Sequence, residues 1–188
     1  GQNAFYGVKI KKMVLGSDGV ALTLPTGTSY TQNFGDKSVL EEVVLPEGVT
    51  SIPDYAFNGY ISLGECNIPS TVSSIGTSAF NNTKLKTIKI PEGVSKIKPF
   101  LCSNCPQMEL LDLPSTVSSM YWQIVAYSST KTLICRATTP PSADGEALRY
   151  SNLVNIYVTD SSVEAYKNAS MWVNYANKIK PLSDYVES

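Results

Sequence analysis

Val43-x-Leu45-Pro46-x-x-Val49-x-x-Ile52-x-x-x-Ala56-Phe57 is a frame that returns three more times. It recurs as Cys66-x-Ile68-Pro69-x-x-Val72-x-x-Ile75-x-x-x-Ala79-Phe80. It recurs as Ile88-x-Ile90-Pro91-x-x-Val94-x-x-Ile97-x-x-x-Leu101-Cys102, and as Leu111-x-Leu113-Pro114-x-x-Val117-x-x-Met120-x-x-x-Ile124-Val125. The prolines are 23, 22 and 23 residues apart. A fixed period in this range specifies a solenoid, in which no coil buries its apolar side alone and neighbours must stack.

Each coil is expected to open with a short strand. Val43 and Leu45 alternate with Glu42 and Val44, a period of two that sends one set inward. The proline that follows has no N–H to donate and ends the ladder. Glu47-Gly48 and Glu92-Gly93 read as turns, with Ser70-Thr71 and Ser115-Thr116 in the same slots of the alternate coils. Val49 and Ile52 point inward from a second extended segment, and Phe57 closes the coil beside the small Ala56. Parallel strands cannot be joined by a tight hairpin, and a coil of this length returns the chain one layer on.

Outside the four clear coils the pattern loosens. Leu133 and Cys135, then Ile156 and Val158, continue the strand slots, with Pro140 to Gly145 as a loop in place of a second segment. Leu22-x-Leu24-Pro25 reads as a degenerate first coil, and residues 8–15 as an edge strand. An apolar solenoid end needs a cap. Ser161-x-x-Glu164 has the form of a capping box. Val163, Tyr166, Ala169 and Trp172 predict a covering helix from about Ser162 to Ala176. The expected organisation is one repeat domain over 1–188: an N-terminal degenerate coil or cap at 1–39, repeats at 40–158, and a helical cap at 159–188.

The composition excludes several functions. Lys and Arg number 15 against 16 Asp and Glu, net charge −1, with no run of like charge, so there is no electrostatic footprint for nucleic acid. No stretch approaches the roughly 20 apolar residues of a membrane span. The chain has no histidine, which removes Ser–His and Cys–His catalysis and histidine metal sites. It begins with Gly1 rather than Met, so a leader is expected to have preceded it.

The frame L-x-x-V-x-L-P-x-x-V-x-x-I-x-x-x-A-F resembles BspA-like leucine-rich repeats. Cys135-Arg136-Ala137-Thr138-Thr139-Pro140-Pro141 and the closing stretch Val158 to Leu182, with Ser162-Val163-Glu164-Ala165-Tyr166-Lys167 and Trp172-x-x-Tyr175, are similar to the ends of such proteins in Bacteroides-type bacteria. The resemblance covers about residues 40–182. It implies a β-rich leucine-rich-repeat (α/β) solenoid of five or six coils with short parallel strands. It also implies an extracellular or cell-surface protein that binds host protein or glycan, and it carries no catalytic residues to transfer.

Four cysteines need a reading. Cys66 and Cys135 fall on inward strand positions. Cys102-Ser103-Asn104-Cys105 reads either as two buried thiols or as a disulfide, and lacks the second pair that a zinc site needs. Glu41, Glu42 and Glu47 do not face one another across a cleft, as paired catalytic carboxylates must. No phosphate-binding glycine motif occurs. The expectation is therefore a noncatalytic protein without metal or cofactor, monomeric or weakly self-associating.

Recognition is expected on outward strand positions, which vary from coil to coil over the fixed frame. One row runs Glu42, Glu65, Thr87, Leu110, Thr132, Asn155. Its neighbour runs Val44, Asn67, Lys89, Asp112, Ile134 or Arg136, Tyr157. The candidate ligand-binding residues are Asn67, Lys89, Asp112, Arg136 and Tyr157. A second candidate is the aromatic pair Tyr121-Trp122, where an earlier coil has Gly76-Thr77. The alternative to a binding module is a spacer or stalk segment of a larger surface protein.

Overall fold

The structure, a computed structural model, describes residues 9–15 and 36–187. Thirteen short strands lie in the described residues. In chain order they are β1 (Lys12–Val14), β2 (Glu42–Val44), β3 (Ser51–Ile52), β4 (Glu65–Asn67), β5 (Ser74–Ile75), β6 (Thr87–Lys89) and β7 (Lys96–Ile97). Then follow β8 (Leu110–Leu113), β9 (Ser119–Met120), β10 (Thr132–Cys135), β11 (Ser142–Ala143), β12 (Asn155–Val158) and β13 (Ile179–Pro181). Every pairing is parallel and joins successive coils in the order β1-β2-β4 and β6-β8-β10-β12-β13 on one side. The second side carries β3-β5 and β7-β9-β11. The solenoid expected from the 22- and 23-residue step is the architecture found.

The inward set is the one the alternation assigns. Val43, Leu45, Val49, Ile52, Phe57, Phe80, Leu111 and Leu113 are all buried in one continuous core. Phe57 and Phe80 stack with ring centroids 5.5 Å apart, and Cys102 and Val125 take the same buried slot in the next two coils. The third side of each coil is a turn segment. It returns the chain through two left-handed residues, a feature the apolar pattern does not encode. The first falls at Tyr55, Ser78, Phe100 and Gln123, and the second at Gly59, Asn82, Asn104, Tyr127 and Tyr150.

The ladder is not continuous. β4 and β6 are not hydrogen-bonded, and neither are β5 and β7. Coils two and three meet across this seam through the turn side, where Ser78, Phe80 and Asn82 amides donate to the carbonyls of Pro99, Leu101 and Ser103. Lys84 N–H also donates to the Leu63 carbonyl. The alternating turn residues fit this division. Thr71 Oγ1 accepts from Gly48 N–H at 3.1 Å and Thr116 Oγ1 from Gly93 N–H at 3.1 Å. Ser70 Oγ donates to Glu47 and Ser115 Oγ to Glu92. A Glu-Gly coil is thus tied to the Ser-Thr coil after it. The Ser-Thr coil at 70–71 has no such tie to the Glu-Gly coil at 92–93; the step there is 22 residues, as it also is from β8 to β10, where the ladder continues. Cys66, expected in the core, stays partly exposed on the seam, yet burial still pushes its thiol up to about 12.

At the N-terminal end β1 fulfils the expected edge strand and pairs directly with β2, Met13 opposite Val43. Leu22-x-Leu24-Pro25, expected as a first coil, lies outside the described residues. At the other end the cap is in place, but its form differs from expectation. The α-helix, α1, covers only Val163–Asn168, and a 3-10 helix follows at Met171–Lys178. Apolar spacing of three residues is the 3-10 period. In a continuous α-helix Tyr166 and Trp172 would lie about 240° apart around the axis. The break at extended Ala169 lets both be buried, edge to face at 4.8 Å, with Trp172 Nε1 donating to the Pro141 carbonyl at 3.0 Å. The capping box does not form either. Ser162, the N-cap, turns its hydroxyl to the Thr138 carbonyl at 2.7 Å, stitching the cap to the last coil.

Candidate functional site

The outward rows stand in the order the alternation assigns. Lys89 faces Asp112, Asp112 faces Ile134, Ile134 faces Tyr157 and Tyr157 faces Lys180. The side chains of this row are largely engaged within the chain. Asn67 Nδ2 donates to the Leu45 carbonyl at 2.8 Å and its Oδ1 accepts from Leu45 N–H at 2.7 Å. The amide thereby replaces a rung of the ladder between the first two coils. Asp112, only 6% exposed, accepts a two-pronged bond from Arg136, at 2.9 and 2.8 Å. That bond holds the guanidinium pKa above its ordinary value. Tyr157 is 9% exposed and packs edge to face with Tyr185 at 5.2 Å.

Tyr185 belongs to the segment after β13. A short 3-10 turn at Leu182–Asp184, anchored by Asp160 accepting from Ser183 N–H at 3.0 Å, carries the chain back over the strand face. Lys89 remains exposed on its own. Of the five strand-face candidates, Asp112, Arg136 and Tyr157 come together, while Asn67 lies across the seam.

The open ground is the other row. A groove of about 930 Å³ crosses the strand face from the seam to the returning segment. Its floor is Thr87, Leu110, Thr132 and Asn155, consecutive partners in register. Tyr157, Tyr185, Val186 and Glu187 make one wall, and Pro106, Gln107 and Ser129 line it from the loops that enter the strands. Lys86, Glu109 and Lys131 alternate in sign along that rim. Leu110 is an apolar residue between two threonines, half-buried and without a covering partner of the solenoid frame. The floor can offer hydroxyls, one amide and one apolar contact, with no net field.

This row was visible in the alternation, yet only Tyr157 among the seven candidates lines the groove. The signal that distinguishes the rows is where the returning segment lies, and no periodicity encodes that. Tyr121 and Trp122 are on the turn side, 38% and 56% exposed, with Lys98 Nζ 5.7 Å from the Tyr121 ring centroid. They do not meet the strand-face residues.

The four cysteines are free thiols. Cys102 Sγ donates to the Ile124 carbonyl at 3.4 Å and Cys105 Sγ to the Phe80 carbonyl at 3.2 Å. Burial raises both pKa values, the opposite of a reactive cysteine. Among the described residues no group of three or more Cys, Asp or Glu is placed to hold a metal ion. No helix among them is long and apolar enough to cross a membrane.

This stacked, parallel-strand coil is the leucine-rich-repeat solenoid. Residues 29–154 match the BspA type leucine rich repeat region in six copies, and the chain belongs to that family. It is similar to a leucine-rich repeat protein from Bacteroides ovatus ATCC 8483, at 23% identity and a TM-score of 0.57 over 86% of this chain. It is also similar to one from Eubacterium ventriosum ATCC 27560, at 27% identity and a TM-score of 0.53 over 68% of this chain. The chain spans 46% and 34% of those two solved chains. No curated protein matches it. The family is one of repeat scaffolds and indicates no enzyme class.

Proposed function

We propose that the chain is a noncatalytic recognition module of an extracellular or surface protein, and that its ligand, a host protein or glycan, lies in the strand-face groove. The observation that carries this reading is the groove itself. Its floor varies in polarity from coil to coil, Thr, Leu, Thr, Asn, above a core that stays apolar, and it is long enough to span four coils. Proteins of this repeat type are typically surface-located or extracellular, which suits such a role. The outward row beside it contributes the wall through Tyr157, which packs on Tyr185.

The second reading is a spacer within a longer surface protein. It draws on the fact that the chain spans less than half of the similar solved chains.

The test is a binding screen of the chain against host matrix proteins and a glycan array, beside Leu110→Arg. The arginine would fill the middle of the groove while leaving the inward Leu111 and Leu113 untouched. A partner bound by the parent and lost in the variant, with the thermal midpoint retained, supports the module. No partner in the whole screen favours the spacer.

A further inference from the structure

On the turn side, the second left-handed position forms a column that climbs one coil at a time through Gly59, Asn82, Asn104, Tyr127 and Tyr150. The first three are residues that this backbone conformation favours. Tyrosine is not, since a bulky residue at positive φ is strained. Two consecutive coils accept that strain, at φ 56° and 57°, and the side chains so placed are not buried. Tyr127 is 61% exposed and Tyr150 47%. Their rings stack with centroids 5.1 Å apart and planes 13° from parallel. Arg149, its charge met by Glu146 at 2.7 Å, lies over Tyr150 at 4.7 Å.

The stack is therefore closed at one end. At the other end the column drops abruptly from a tyrosine to the short side chain of Asn104. Asn104 N–H donates to the Ala126 carbonyl at 2.9 Å, so this asparagine sits one coil spacing below Tyr127. Its Nδ2 donates to Asn81 Oδ1 at 3.0 Å. That bond joins two amides on an exposed and a half-buried residue and leaves Asn104 Oδ1 as an acceptor beside Asn81 Nδ2 as a donor.

We propose that this step is a second binding site, distinct from the groove, for one ring of a neutral oligosaccharide. A pyranose ring has an apolar C–H face that fits the open face of Tyr127. Its neighbouring hydroxyls fit an acceptor and a donor set side by side. Anionic sugars find no unpaired cation here, because Arg149 is neutralised by Glu146. A protein partner would need a wider apolar field than one exposed ring face.

The test is saturation-transfer NMR on the whole chain with cellotetraose, mannotetraose and chitotetraose as probes, and a heparin tetrasaccharide as the charged control. The expected result is transfer to ring protons of at least one neutral probe and none to heparin. Tyr127→Asn places the column's own favoured residue at the strained position, so the fold persists while transfer falls to background. Tyr127→Phe, which keeps the ring, retains it. Absence of transfer from all three probes, transfer that survives Tyr127→Asn, or transfer that Leu110→Arg removes would overturn the assignment. The groove reading is judged separately, by Leu110→Arg and its own partner.

Discussion

The two sides of the seam are built on one frame and behave as different structures. Before it, β1, β2 and β4 form a three-stranded sheet whose outward row begins with ion-paired charges, Lys12 with Glu42 at 2.7 Å. After it, five strands run unbroken to the cap, and the same outward row becomes Thr87, Leu110, Thr132 and Asn155. The core residues at matching positions are buried on both sides, apart from Cys66 and Ile68 at the seam, which are only partly buried. What differs is the layer outside the core: the coil-to-coil ties, the outward row and the segment that returns across it. Coils built on one frame thus need not be equal neighbours, and the surface we propose for recognition is the part where the ladder is continuous.

The comparison can be broken most forcefully at the core. Phe80 stacks on Phe57 and donates its amide across the seam to Leu101, so it belongs to both sides. Phe80→Ala is expected to cost about 3–5 kcal/mol, seen as a fall in chemical denaturation midpoint. A variant with an unchanged midpoint would mean that the closing ring does not hold the coils together.

Alkaline pH should act on both sides together. Burial holds the Cys66 thiol up at about 12 and Cys135 at about 11, against an ordinary 9.0. The folded chain keeps protons that the unfolded chain loses, so this contribution is complete below pH 9 and declines as pH rises through the folded values. Thermal midpoints should hold between about pH 8 and 9 and fall from about pH 9 to 11. A flat profile would remove the buried-thiol assignment.

A finer comparison uses one outward position on each side. Asn67→Ala removes two bonds to Leu45 and should cost about 1–2 kcal/mol. Lys89→Ala, the next residue of the row beyond the seam, should change stability by at most about 0.5 kcal/mol. Equal effects would mean that the seam does not divide the row. Smallest in energy, and most local, is amide exchange. Glu109 and Leu110 amides both donate to the Lys86 carbonyl, whereas Lys86 and Thr87 have no corresponding bonds across the seam. Native-state exchange at Lys86 and Thr87 should be faster by on the order of tenfold. Matched protection would close the seam.

Much of this was legible in the sequence. The inward set, the strand slots as far as Val158, the outward rows and the capping role of Tyr166 and Trp172 all follow from spacing, because burial repeats with the coil. The period does not mark the seam: the step from β4 to β6 is 22 residues, but so is the step from β8 to β10, where the ladder is unbroken. The short α1 was misread because a spacing of three fits both helix types until two large rings must share one face. The engagement of Asn67 and the Asp112–Arg136 pair rests on contacts between residues 22 to 24 apart, where a side chain chooses among several neighbours. The groove depends on where residues 182–187 come to rest, which no repeat specifies.

The central claim is that recognition belongs to the strand face beyond the seam, and one row offers both the test and its control. Glu65 and Leu110 occupy the same outward slot on opposite sides of the break. Binding of a partner found in the screen should be measured by calorimetry for Glu65→Arg and Leu110→Arg beside the parent chain. The account predicts that Leu110→Arg abolishes binding and Glu65→Arg leaves it intact. Binding that survives Leu110→Arg, or that Glu65→Arg destroys, would contradict it.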